Sequence, residues 1–393
     1  MRLSRILTYK QTLSPLFLVL TLVVMASSSL SQQTSSSPSD SKTGSTSTAS
    51  QAPASSQAPS AHSGSPEDVL PKPSLPPGID PKTRMPLYEE IQEDWSSLQI
   101  GASKLEPERP IIGQVDEQEK FTRTLVQVKW RPGDPIDLWI VIPKGVKNPP
   151  VVLYLYNETE DTERFRNNNW CERVTSGGVA AVGFVSALSG PRFHDRPLNQ
   201  WFVSELQESL GSTVHDVKFI LDYLAYRGEV DMSRIGMFGI GSGGTIAILA
   251  AAADPRIKAV DALDPWGDWP HFLAESSVVQ DDPARANYVT PEFLKKVAPL
   301  DPVKWLPQLK IPVRIQQVKE NDATPIESKD SIRAAAPKQA EVVRFAAMSD
   351  LAHREGGGAL FQWIKNGVQP PPGNPGQSTM PGSPVAAGKL PRS

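Results

Sequence analysis

Apolar positions in the middle of the chain follow two rhythms, and the switching between them predicts an architecture. Residues 121–130 and 136–142 carry β-branched and aromatic side chains on either side of the turn Arg131-Pro132-Gly133-Asp134, which reads as an antiparallel hairpin. Four compact apolar runs follow at 151–156, 179–185, 235–238 and 257–263, with no polar alternation, as strands covered on both faces require. Helical stretches separate them. The clearest is 214–226, where Val217, Ile220, Leu221 and Leu224 form one apolar stripe. Two further strands are expected at 313–318 and 342–346, and a closing helix at 359–365. An antiparallel entry followed by repeated strand–helix units predicts one α/β domain over 82–367, with a mostly parallel central sheet and helices on both faces.

The flanks have a different character. Arg2, Arg5 and Lys10 precede an apolar run at 16–26 that ends in small residues, so 1–31 reads as an export signal. The run is shorter than the roughly 20 residues of a spanning helix, which favours cleavage over an uncleaved N-terminal anchor and leaves no stable membrane span afterwards. The expected location is therefore secreted or periplasmic. Residues 32–81 are dominated by Ser, Thr, Pro, Ala and Gln and read as a disordered linker; 368–393, rich in Pro and Gly, read as a disordered tail.

Charge and cysteine content narrow the chemistry. A net charge of −3 without basic clusters gives no reason to expect nucleic acid as a partner. The single Cys171 forms neither an internal disulfide nor a structural zinc site, and no metal or cofactor is expected.

One segment carries candidate chemistry. Arg234-Ile235-Gly236-Met237-Phe238-Gly239-Ile240-Gly241-Ser242-Gly243-Gly244 is a strand that turns abruptly into an apolar helix, the setting of a nucleophile elbow. This segment, the run Asp222-Tyr223-Leu224 with Val230-Asp231, and a late acid and histidine resemble the α/β-hydrolase superfamily. The likeness is to its dienelactone-hydrolase, acetyl-xylan-esterase and prolyl-oligopeptidase-like branches. The resemblance covers most of 151–367. It implies an α/β-hydrolase fold and a serine hydrolase acting on a small ester or peptide substrate. The family wording, Gly-x-Ser-x-Gly-Gly, aligns on Gly239, Gly243 and Gly244 and puts Gly241 in the nucleophile slot. Ser242 lies one position later and serves as nucleophile only if the turn shifts. The resemblance implies Asp322 as the orienting acid and His353 as the base, with Asp264 a lesser acid candidate. It also implies a backbone oxyanion donor in the loop at Tyr156 and Asn157, where a His-Gly pair is common in the family and absent here.

Residues 264–307 read as an insertion able to form a lid, whose Trp266 and Trp269 either stack on a substrate or fill the core. Arg192 and His194 are candidates to reach the cleft. Two other readings stand beside the hydrolase. One is a catalytically silent relative binding an unknown ligand or partner through the cleft. The remote one is a dinucleotide-binding protein, because Gly239, Gly241 and Gly244 also spell G-x-G-x-x-G, with Asp261 and Asp264 at the end of the next strand.

Overall fold

The computed structural model describes residues 98, 107–130, 134–156, 162–187, 192, 206–279, 283 and 285–369. The expected signal, the linker, the hairpin turn at 131–133, Asn157, His194 and most of the tail lie outside them. Among the described residues, no helix is long and apolar enough to cross a membrane.

The chain enters through an antiparallel meander, β1 (Ile111–Glu117), β2 (Phe121–Val128) and β3 (Ile136–Pro143). Then come β4 (Val151–Leu155), helix α1 (Asn168–Thr175), β5 (Ala180–Phe184), α2 (Leu206–Arg227), β6 (Ile235–Ile240), α3 (Ser242–Ala253) and β7 (Ile257–Leu263). A mostly helical insertion follows, with α4 (Trp269–Glu275) and α5 (Pro291–Val297) as its longer members. The chain closes with β8 (Val313–Val318), α6 (Ile326–Ala335), β9 (Glu341–Phe345), α7 (Met348–Glu355) and α8 (Gln362–Gly367).

Among the described residues these strands make one sheet in the order β1-β2-β3-β5-β4-β6-β7-β8-β9. The pairing of β3 with β5 is antiparallel, and every pairing from β5 to β9 is parallel. β6 thus lies near the middle, and the strand order reverses around β4. Open parallel sheets place their ligand crevice where the order reverses, at the carboxyl ends of the strands.

The two faces of the sheet feed two cores. Along β4, Val151, Leu153 and Leu155 join the layer under α2 and α3, while Val152 and Tyr154 join the opposite layer with Trp170, Phe361 and Ile364. Tyr154, Phe238 and Phe361 pack as aromatic neighbours with centroids 5.1 to 5.9 Å apart. Helix α3 is Ala-, Ile- and Leu-rich all round and is accordingly buried.

Three expectations are corrected. A strand precedes the hairpin: β1 is exposed along nearly its whole length, with Ile111, Ile112 and Val115 more than half accessible, so it lacked an alternating signature. Its ladder with β2 shifts register between Ile112 and Gln114, leaving Gly113 as the extra residue. Helix α2 begins at Leu206 rather than 214, because Ser209, Gly211, Ser212 and Thr213 are small enough to be buried without an apolar stripe. The folded region also runs past 367: Val368 is 2 % exposed in the second core, and the Gln369 amide donates to the Gly177 carbonyl at 2.9 Å.

Candidate active-site elbow

The turn from β6 into α3 is fixed by steric exclusion. A Cβ on Gly239 would lie 2.2 Å from the Gly243 carbonyl oxygen, and one on Gly243 would lie 2.5 Å from the Leu155 carbonyl oxygen. Neither backbone neighbour can yield, so these two positions admit only glycine. They stand two residues before and two after Gly241, which takes φ 54 and ψ −119, a positive-φ conformation rarely adopted by L residues. The bend is therefore centred on Gly241, where no side chain projects. The Gly241 N–H donates to the Leu263 carbonyl at 2.9 Å, and its carbonyl accepts from the Thr245 N–H at 3.1 Å. The Thr245 hydroxyl ties α3 to the next loop by donating to the Trp266 carbonyl at 2.7 Å.

Ser242 is the first residue of α3, fully buried, and its hydroxyl has no hydrogen-bond partner. No bond joins it to His353 or Asp322. Asp322 is exposed on the loop after β8, and its carboxylate accepts the Ser277 hydroxyl at 2.9 Å while its carbonyl accepts the Ser277 N–H at 3.1 Å. His353 lies on α7 rather than in a loop, is exposed, and has no hydrogen bond, ion pair or ring contact among the described residues. The three candidates are thus not linked to one another among the described residues, and His353 stands on a helix where a loop was expected.

What holds the Asp322 loop is Asp264, at the end of β7 with φ 43 and 1 % exposed. Its carboxylate accepts the Val318 N–H at 2.9 Å and the Asn321 amide at 2.8 Å, and its carbonyl accepts the Thr324 hydroxyl at 3.1 Å. Lys329 of α6, also buried, donates to the Asn321 carbonyl. Burial pushes the Asp264 carboxyl up to about 6, against the opposing pull of Lys329, Asn321 and the Val318 N–H. Asn321 and Lys329 escaped the sequence reading. Asn321 stood beside the chosen acid, and Lys329 sits in an amphipathic helix where nothing marks it as buried.

The other candidates among the described residues pack into the scaffold. Trp266 and Trp269 are each 1 % exposed and pack on Phe272 at 5.0 and 5.6 Å, so the insertion around them is part of the core. The Arg192 side chain is 4 % exposed and bridges Asp134 and Asp216, whose carboxylate also accepts the Trp130 indole N–H at 2.8 Å. It is thereby withdrawn from any cleft role. Tyr156 is buried, with the Arg164 guanidinium 4.7 Å above its ring. The dinucleotide reading loses its carboxylate, because Asp261 is fully buried and accepts from Arg314 and Gln316. Among the described residues no group of His, Cys, Asp and Glu is arranged to hold a metal ion.

Strand order, elbow and helical layers together define the α/β-hydrolase fold, and the chain adopts it. Among solved structures it is similar to the acetyl xylan esterase from Paenibacillus sp. R4, with a TM-score of 0.55 at 18 % identity, covering 67 % of this chain and 89 % of that one. It is also similar to acetyl xylan esterase 1 from Thermoanaerobacterium sp. JW/SL YS485, with a TM-score of 0.52 at 15 % identity, covering 65 % and 88 %. No family profile and no curated protein matches the chain. Likeness at these identities speaks to the fold.

Proposed function

We propose that this chain is an exported α/β-hydrolase-fold protein whose elbow no longer carries a nucleophile and whose cleft binds a small ligand without cleaving it. The observation that carries the reading is the backbone of Gly241. In a nucleophile elbow the central, strained residue presents its side chain above the sheet. Here the two sterically obligatory glycines bracket a residue that has none. Making Ser242 the nucleophile requires moving its Cα by about 3.8 Å, whereas catalytic groups must be placed within about half an ångström. Further support comes from the engagement of Asp322 by Ser277 and from the lack of a partner for His353 among the described residues. Export rests on the N-terminal charge and apolar pattern alone.

The test is activity-based labelling of the folded protein with a fluorophosphonate, alongside turnover of p-nitrophenyl acetate. The expected result is no labelling and no turnover above an albumin control. Labelling that disappears in Ser242→Ala would instead establish a displaced serine nucleophile and an ordinary serine hydrolase.

A further inference from the structure

The insertion between β7 and β8 contains a groove of its own. Its walls come from α4, α5 and the short helix Pro302–Trp305. The apolar lining is Trp269, Pro270, Pro291, Leu294, Ala298 and Val303, around a volume of about 560 Å3. None of Gly241, Ser242, Asp322 and His353 lines it. Sites for small ligands are mostly apolar concavities of roughly 300 to 1,000 Å3 with a few polar groups that fix orientation.

The shape of the groove is set by packing that the sequence enforces. Trp269, 1 % exposed, forms its base. The Asp301 carboxylate accepts the N–H groups of Asp268 at 3.0 Å, Trp269 at 3.2 Å and Val303 at 3.0 Å. One side chain thus starts the short helix and ties it to α4. A Cβ on Gly267 would lie 2.6 Å from the Pro302 side chain, so these two walls are already in close contact. A preformed site spares a ligand the cost of ordering it.

Charge selects the ligand. Lys295 and Lys304 also line the groove, and both are exposed. Neither ammonium has a carboxylate partner among the described residues, and that of Lys304 lies 5.1 Å from the Trp305 ring centroid. Asp301 is the acid that lines the groove among the described residues, and its carboxylate is engaged by the three N–H groups. Glu292, in the first turn of α5, is exposed and does not line it. An apolar base beneath two unpaired ammonium groups complements a molecule with an apolar body and one anionic end.

We propose that this groove is a binding site for a small amphipathic carboxylate, whose apolar body lies on Trp269 and Leu294 and whose carboxylate meets Lys295 and Lys304. The site is separate from the elbow and does not depend on whether the elbow is active. No bond is made or broken in it.

Octanoate is the probe, titrated into the full chain with amide and indole N–H shifts followed by NMR, and octanamide is its uncharged counterpart. Saturable octanoate shifts are expected at Trp269, Leu294, Lys295, Val303 and Lys304, with octanamide much weaker. In the double variant Lys295→Met, Lys304→Met, which keeps the apolar stems, the octanoate dissociation constant should rise about tenfold, as loss of two exposed charge contacts implies. Both lysines are exposed, so the variant should keep the parent's urea midpoint. Ala298→Trp, which places an indole at the rim, should abolish the shifts. The proposal is overturned by an absence of shifts at these residues, by equal affinity for octanamide, or by unchanged octanoate affinity in the double variant. Shifts at the same residues on diluting the protein alone would assign the groove to a second copy of the chain and overturn it as well.

Discussion

Gly239 has no freedom to be anything else, and the reason is a distance. An added methyl group would stand 2.2 Å from the Gly243 carbonyl oxygen, with further contacts to the Gly243 carbonyl carbon and the Gly244 nitrogen. All three belong to the backbone of the buried α3, so relief requires prising that helix from β6. Gly239→Ala is expected to destabilise the protein by about 3 kcal/mol or more, the range of overpacking combined with backbone strain. A urea midpoint unchanged from the parent would contradict the steric account of the elbow. The glycine spacing was legible in the sequence because G-x-x-x-G around a strand-to-helix switch has few other physical uses. Which residue the bend presents was also legible, by aligning Gly239 and Gly243 with the motif. The scaffold role of Arg192 was not, since its partners Asp134 and Asp216 lie 58 and 24 residues away along the chain.

At the scale of elements, the loop after β8 is held as a unit to the end of β7, and its main clamp is titratable. Asp264 in the folded protein has its carboxyl raised to about 6 by burial, above its ordinary value of 3.8. Between these values the folded state keeps a proton that the unfolded chain has released. Stability from this group is therefore fullest below about pH 4 and declines as pH rises through about 6, then levels off. Chemical denaturation at a series of pH values should show this decline in the parent and lose it in Asp264→Asn. Parallel pH profiles for the two proteins would refute it. Strands β4 to β7 were readable within a few residues because parallel strands buried on both faces are apolar runs, and the antiparallel β2 and β3 because β-branched and aromatic residues flank a turn. The helical placement of His353 was not readable: the glycines that follow it suggested a loop, and α7 is short and largely polar. The sequence left the place of Trp266 and Trp269 open, because tryptophans look the same in sequence whether they fill a core or line a cleft.

At the scale of the whole molecule, the strands β4 to β8 are covered on both faces, and among the described residues the sheet stops at one end at β1. That strand carries three of the six large apolar side chains exposed among the described residues, namely Ile111, Ile112 and Val115. An edge with this composition is a ready template for another chain, and natural proteins blunt such edges with irregularities. The register shift at Gly113 is one: it breaks the even row of donors and acceptors that an incoming strand would need. Deleting Gly113 would leave the elbow and both cores untouched while straightening the border of the sheet. The shortened protein should then nucleate aggregates, seen as light scattering that grows on incubation while the parent stays clear. One unpaired glycine would in that case be the guard that keeps this molecule from recruiting its own copies.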